Sequence, residues 1–280
     1  MKLVTMKSIL TEAQKQKYAV GAFTFSSLDA AYAIIDAANK AKMPVILQVG
    51  PLECDYAGLE ELAEIAKMAA RRAVVPVALN FDHGDTVERS EQAVKAGFTS
   101  VMIDASKFEY EENIRITSEV VKIASPYGVS VEAELGKIGG AEGLIDVTDA
   151  AQTDPDEAAD FANRTGIDAL AVAIGTAHGF YTQAPVLNIE RLKKIVYKTS
   201  VPLVLHGGSG TPDAQVIEAI NNGITKVNIN TEFTAAMGKA YIECQSAEGF
   251  RYSIPSLYGP ARIAGSELAY KKIKFFANGK

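Results

Sequence analysis

The chain has 280 residues, a length that suits either two domains of about 150 residues or one α/β barrel of about 250. Its hydrophobic fraction of 48%, charged fraction of 22% and evenly scattered Gly and Pro exclude a disordered or fibrous chain. A formal net charge of −6 argues against general electrostatic binding of nucleic acid, while leaving room for local anion sites at helix N-termini and glycine loops. Cys54 and Cys244 stand outside any C-x-x-C pattern and read as free thiols in a reducing compartment. Met1 to Thr11 lacks a signal-peptide core, and no apolar run approaches the roughly 18 residues of a membrane span. A soluble, cytoplasmic protein with no membrane or nucleic-acid partner is expected.

In chain order, short apolar runs alternate with segments of helical period. Strand Ala19–Phe25 precedes helix Ser27–Ala41, Pro44–Val49 precedes Leu59–Arg72, Val75–Phe81 precedes Val87–Ala96, and Ser100–Ile103 precedes Glu111–Ala124. The unit then repeats as Ser130–Leu135 with Pro155–Thr165, Ala169–Ile174 with Ile189–Thr199, Pro202–Leu205 with Pro212–Asn222, and Lys226–Ile229 with Thr231–Ser246. The strands are continuous in Val, Ile, Leu and Ala, the pattern of parallel strands covered on both faces. Asp154-Pro155 and Thr211-Pro212 read as an N-cap with proline at the first helical position, and Gly97, Gly128, Gly166 and Gly223 follow helices where a left-handed cap is expected. Eight such units without a composition break predict an α/β fold, a closed (β/α)8 TIM barrel forming one domain over residues 1–280. A doubly wound sheet shares the local pattern but suits six strands better. Residues 247–280 read as a C-terminal extension, an irregular Pro/Tyr/Gly stretch followed by a helix near Ala261–Phe276.

Barrel enzymes build their sites at the C-terminal ends of the strands. Those ends carry Asp82 and His83 after the third strand, Asp104 after the fourth, Glu134 in the fifth, His178 after the sixth, His206 after the seventh and Asn228 in the eighth. All three histidines of the chain therefore fall on one face, which points to a metal site; three neutral imidazoles with an open fourth position suit a catalytic Zn2+. Asp82 reads as an acid/base beside the metal, or as a carboxylate orienting a histidine. Asp104 and Glu134 are in-barrel carboxylates that also fit an internal charge and hydrogen-bond network.

The loops after the seventh and eighth strands, where barrels often hold phosphate, read His206-Gly207-Gly208-Ser209-Gly210-Thr211-Pro212 and Asn228-Ile229-Asn230-Thr231-Glu232. Glycines let backbone N–H groups approach an anion, and Ser209 and Thr231 add hydroxyls at helix starts. The fifth strand leads into Gly136-Lys137-Ile138-Gly139-Gly140-Ala141-Glu142-Gly143, a glycine-flanked stretch of the kind that forms a lid, with Glu142 as its carboxylate.

These residues resemble the class II, metal-dependent ketose-bisphosphate aldolases, a family that includes fructose- and tagatose-bisphosphate aldolases. The likeness runs through Tyr18-Ala19-Val20 with Phe23, Phe81-Asp82-His83-Gly84, Val101-Met102-Ile103-Asp104, Val131-Glu132-Ala133-Glu134-Leu135-Gly136, Gly175-Thr176-Ala177-His178-Gly179, His206-Gly207-Gly208-Ser209-Gly210 and Asn228-Ile229-Asn230-Thr231-Glu232. The resemblance implies a lyase that cleaves a ketose phosphate to dihydroxyacetone phosphate and an aldehyde. It implies His83, His178 and His206 as zinc ligands, Asp82 as acid/base on the hydroxyl at the cleaved bond, and Glu142 as the lid group exchanging a proton with the enediolate. Gly179, Gly207, Gly208, Ser209 and Asn228 to Thr231 (with Ile229 and Asn230) would hold the phosphate and its neighbouring hydroxyls. Asp104 and Glu134 match acids of an alternative metal position. A monovalent cation (Na+ or K+) near the phosphate glycines and a homodimer or homotetramer are implied as well. The chain departs from the family pattern at Thr24, Gly50 and Thr182, and near Ile254-Pro255, where an arginine that grips the distal anion is replaced. The resemblance therefore implies an intact proximal phosphate site and an altered distal one, and weaker action on bisphosphates than on a monophosphate or with an uncharged aldehyde partner. The alternative to an enzyme is a non-catalytic phosphosugar-binding barrel, against which the complete histidine set with Asp82 counts.

Overall fold

In a computed structural model, which describes residues 3–136, 144–145, 152–181, 183–246 and 253–280, the alternating pattern closes on itself. In chain order the elements are α1 (Met6–Gln16), β1 (Val20–Thr24), α2 (Leu28–Ala41), β2 (Val45–Val49), α3 (Pro51–Ala57), α4 (Leu59–Ala70), β3 (Val77–Gly84), α5 (Val87–Ala96), β4 (Ser100–Ile103), α6 (Tyr110–Ala124) and β5 (Ser130–Leu135). They continue with β6 (Leu144–Ile145), α7 (Pro155–Thr165), β7 (Ala169–Val172), β8 (Phe180–Tyr181), α8 (Ile189–Lys198), β9 (Leu203–Leu205), α9 (Asp213–Asn221), β10 (Ile224–Ile229), α10 (Thr231–Ser246) and α11 (Ile254–Phe276). Strands β1, β2, β3, β4, β5, β7, β9 and β10 form a closed parallel barrel, β10 pairing back onto β1 through Val20–Lys226 and Phe23–Ile229. The short β6 and β8 pair with each other outside it. This is the (β/α)8 barrel expected from the sequence.

Strand alternation divides the apolar residues into two cores. Residues of one parity, such as Phe23, Leu47, Leu79, Val101, Val131 and Leu170, point outward and pack under the helices in one annular cluster. Residues of the other parity point into the lumen, where Val20, Ala22, Ile46, Ala78, Met102, Ala169, Ala171 and Val204 fill the lower part of the barrel. Helix α1 closes that end as a floor: Met6 and Leu10 are fully buried against the lumen residues. Thr5 caps this helix by accepting the Ser8 N–H, while backbone bonds from Val4 to Val77 O (2.8 Å) and from Lys7 to Ser130 Oγ (3.0 Å) fasten it to the strands. Toward the C-terminal end the lumen parity turns polar: Gln48, Asn80, Asp82, Glu132, Glu134, His206, Lys226 and Asn228 are all buried.

Several local expectations hold and several move. Asp154 caps α7 through the Asp156 and Glu157 N–H groups with Pro155 in the first turn, and Gly97 and Gly166 adopt the left-handed cap. At α9, however, Pro212 takes the N-cap position and the helix starts at Asp213, because the Thr211 hydroxyl bonds instead to Gly207 O at 2.9 Å. Helix α11 starts at Ile254, earlier than the expected Ala261: Ser253 caps it, and Pro255 lies in the first turn, where an N–H is not needed. Helices α1 and α3 were absent from the eight-unit pattern.

Candidate active site

Barrel closure brings the distant strand ends into one cleft of about 600 Å³, lined among others by Gln48, Asp82, His83, Asp104, Glu134, His178, Gly179, Gly207, Ser209, Asn228, Asn230 and Thr231. In a regular strand Asp82 and His83 would face opposite sides. The β3–β4 register shifts between Phe81 and Gly84, and His83 takes a left-handed φ of 48°, so that both side chains reach the cleft. A non-glycine residue in that region carries strain of the kind found at ligand sites.

The three imidazoles meet nearly edge to face, with ring centroids 4.7 Å apart for His83–His178, 4.6 Å for His83–His206 and 5.6 Å for His178–His206. One ring nitrogen from each lies within 4.8 Å of the others, and His206 Nδ1 sits 2.9 Å from His83 Nε2. Tetrahedral coordination at about 2.0–2.1 Å needs nitrogens about 3.3 Å apart, so small side-chain adjustments fit an ion. The far nitrogens are engaged by carboxylates: His206 Nε2 with Glu132 Oε1 at 2.9 Å, and His83 Nδ1 with Asp104 Oδ2 at 3.4 Å. That is the arrangement that orients ligating imidazoles.

The electrostatics also favour a cation. Burial disfavours a charge on His83, yet the Asp82, Asp104 and Glu134 carboxylates prevail and lift it to about 9. Burial and the neighbouring His83 charge lower His178 to about 4 and His206 well below the usual histidine range, leaving two neutral imidazoles. Burial opposes the charge of Asp104, but bonds from His83 and Ser106 outweigh it and hold the carboxyl well below its usual range. A donor set that keeps two imidazoles neutral and places one proton among carboxylates fits a metal ion.

Asp82 is 6% exposed and held by neutral donors on several sides. Gln48 Nε2 donates to Oδ2 at 3.0 Å, Asn80 Nδ2 to Oδ1 at 3.3 Å, and Asn228 Nδ2 reaches both oxygens at 3.3 and 3.2 Å. Its Oδ2 lies 3.8 Å from His83 Nε2, beside the histidine cluster without joining it.

Gly179, Gly207, Ser209, Asn230 and Thr231 line the same cleft, at the N-terminus of the 16-residue α10. Gly207, at φ 65°, has no room for a side chain: a Cβ would meet Ala177 O at 2.2 Å. The Tyr181 hydroxyl accepts the Ala177 N–H at 2.9 Å and lies 2.9 Å from Gly207 O, stapling the His178 loop to the Gly207 loop. Glu232 Oε1 accepts the Gly210 N–H at 2.7 Å while Lys272 Nζ holds Oε2 at 2.7 Å. Two of the expected phosphate residues stand apart from the lining. Gly208 N–H bonds to Asn228 O at 3.2 Å, and the Ile229 side chain is fully buried in the annular core. Glu142 lies outside the described residues, as does Thr182.

Sequence reasoning missed Glu132 and Lys226, both fully buried, with Lys226 Nζ 2.6 Å from Glu132 Oε2. The available signal was spacing by two: Glu132 precedes Glu134 and Lys226 precedes Asn228 on the same lumen parity. A second cleft of about 700 Å³ shares Thr24, Leu52, Glu53, Gly179, Asn230 and Thr231 with the first and continues to Phe233, Met237, Tyr241 and Tyr258. No Lys or Arg is among the described residues lining either cleft. Arg262, eight residues into α11, bonds to Asp36 and stacks over Tyr32, with its guanidinium carbon 5.0 Å from the ring centroid.

Comparison with known proteins follows the same lines. The family model described as "Fructose-bisphosphate aldolase class-II" matches residues 4–280. The chain is 43% identical over 281 residues to a fructose-bisphosphate aldolase of Geobacillus stearothermophilus, covering 99% of this chain and 98% of that one. It is 41% identical over 281 residues to a probable fructose-bisphosphate aldolase of Bacillus subtilis (strain 168), covering 99% of each. Among solved structures, the YdjI aldolase of Escherichia coli K12 superposes with a TM-score of 0.86 at 38% identity, covering 99% of this chain and 98% of that one. Among the described residues no helix is long and apolar enough to cross a membrane.

Proposed function

From its place in the class II fructose-bisphosphate aldolase family, to which the chain belongs, we propose how this metal-dependent lyase works and on what. His83, His178 and His206 hold a divalent ion, with Zn2+ the reading their all-nitrogen donor set supports best. When bound, the ion supplies Lewis-acid polarisation of the ketose carbonyl. Asp82 takes the proton from the hydroxyl at the bond being cleaved and returns it in the condensation direction. Gln48, Asn80 and Asn228 keep that carboxylate aimed into the cleft, so no reorientation is needed as the proton moves. Gly179, Gly207, Ser209, Asn230 and Thr231, at the start of α10, bind the phosphate of the dihydroxyacetone phosphate half. Asn228 lines the cleft between that loop pair and Asp82, Gly208 and Ile229 support the loops from behind, and Glu142 donates a proton of its own to the enediolate half that is released.

The substrate class is a ketose phosphate of the fructose or tagatose 1,6-bisphosphate type. A second reading, a ketose monophosphate whose aldehyde half carries no distal anion, is favoured by one observation: the described lining of both clefts lacks Lys and Arg. Asp104 and Glu134, within reach of His83, form an alternative resting position for the metal. A Na+ or K+ near the phosphate glycines, a homodimer or homotetramer, and a cytoplasmic location complete the proposal. The exposed Ile242, Ile254 and Ile263 on α10 and α11 support self-association.

The observation that carries the reading is the convergence of three imidazole nitrogens beside a buried, multiply bonded Asp82. The test assays zinc-loaded protein against a panel of ketose mono- and bisphosphates, with and without chelator, coupled to detection of dihydroxyacetone phosphate. Chelator-sensitive release is expected; no release from any member of the panel would refute the proposed substrate class.

A further inference from the structure

Beneath the histidine cluster the lumen contains a second set of metal-type donors. Asp82, Glu132 and His206 each place one donor atom within 4.8 Å of the others, and all three residues are buried. Judged by donor chemistry alone, two carboxylates and an imidazole compete well for a divalent ion. Lys226 reaches into the same space from β10, with its ammonium 2.6 Å from Glu132 Oε2 and 3.8 Å from Asp82 Oδ1. Lys226, Glu132 and His206 are each 0% exposed. Glu132 is thus shared, one oxygen on the ammonium and the other on His206 Nε2 at 2.9 Å.

We propose that Lys226 is a built-in cation that fills the Asp82–Glu132–His206 set, keeps Glu132 as the hydrogen-bond partner of His206, and so directs the metal to the three histidines. The inference rests on the metal-site reading above. The physical reason is charge compensation. Two carboxylates this deep need a positive partner, and a lysine provides it covalently, without exchange. Removing the ammonium leaves the pair uncompensated, and a dication becomes the available substitute. With Lys226 in place, Glu132 accepts the Nε2 hydrogen and leaves the Nδ1 lone pair of His206 facing His83.

The experiment uses the full chain, stripped of metal with chelator and then titrated with Co2+ and Zn2+. Metal equivalents, the cobalt absorption spectrum and zinc affinity by competition with a chromophoric chelator are read, and folding is checked by circular dichroism. His83→Ala is expected to bind no Co2+, whereas His83→Ala/Lys226→Met recovers about one equivalent through the freed set. Adding Glu132→Gln should abolish that recovery, and His83→Ala/Lys226→Arg should remain metal-free because the cation is kept. A folded His83→Ala/Lys226→Met protein that binds no metal overturns the proposal. If that variant does not fold, Glu132→Gln in the otherwise unaltered chain decides: zinc binding about 10–100-fold weaker is expected, and unchanged affinity overturns it. Retention of the original affinity by His83→Ala alone would instead count against the histidine site itself, so the two failures are distinguishable.

Discussion

His83 Nε2 and His206 Nδ1 face one another at 2.9 Å across the mouth of the barrel, although 123 residues separate them in the chain. In the metal-free protein one of these nitrogens must carry a hydrogen, and the carboxylates around His83 hold it there, lifting that imidazole to about 9. A metal ion needs both lone pairs, so binding must release that proton. Apparent affinity is expected to rise about tenfold per pH unit between pH 6.5 and 9, as measured by chelator competition. A flat profile across this window would show that no proton leaves the site on binding.

The same groups shape the stability of the metal-free protein. His83 is raised from 6.5 to about 9, so its contribution is complete below pH 6.5 and is lost as pH rises through 9. His178, lowered to about 4, and His206, lowered well below 6.5, behave oppositely: their contribution is present above pH 6.5 and fades as pH falls toward 4. A melting temperature that peaks near pH 6.5 is expected without metal, with the alkaline decline removed by saturating Zn2+. Thermal melts of the stripped protein from pH 5 to 9 check this; a steady rise to pH 9 would contradict it.

Asp82→Asn preserves shape and the Gln48 and Asn228 neighbours but removes the proton acceptor. Turnover should fall about 10²–10⁴-fold with zinc affinity changed far less, a separation measurable by steady-state kinetics beside metal titration. Loss of metal and turnover together would mean that Asp82 acts chiefly by orienting the site.

Much of this was legible in the chain because one physical signal repeats: apolar strands buried on both faces, each followed by an amphipathic helix. The histidines could be assigned to one face for the same reason, since strand ends in a parallel barrel share a direction. Glu132 and Lys226 were harder. Period two places each on the lumen side, but their 2.6 Å contact joins residues 94 apart and depends on how β5 and β10 face each other across the closed barrel. The bulge that turns Asp82 and His83 to one side is likewise a product of the β3–β4 register, not of the two residue types. Helix α3 is too short, at 7 residues, to show a period. Helix α1 was missed because an eight-unit pattern beginning with a strand leaves no place for a helix ahead of it.

That leading helix is nonetheless a structural requirement. Leu10 and Met6 are fully buried against the lower lumen residues, among them the small side chains Ala22, Ala78, Ala169 and Ala171. Leu10→Ala removes methyl groups from a fully buried site packed against side chains of the closed barrel, whose paired strands resist collapse into the space left. A loss of about 2–5 kcal/mol is expected, read from denaturant unfolding where that transition is two-state. The histidine cluster lies at the opposite end of the strands, so zinc affinity measured under native conditions should be unchanged. A Leu10→Ala protein as stable as the parent would mean that the floor is not part of the cooperative core; weakened zinc binding would mean that the floor and the metal site are coupled through the lumen.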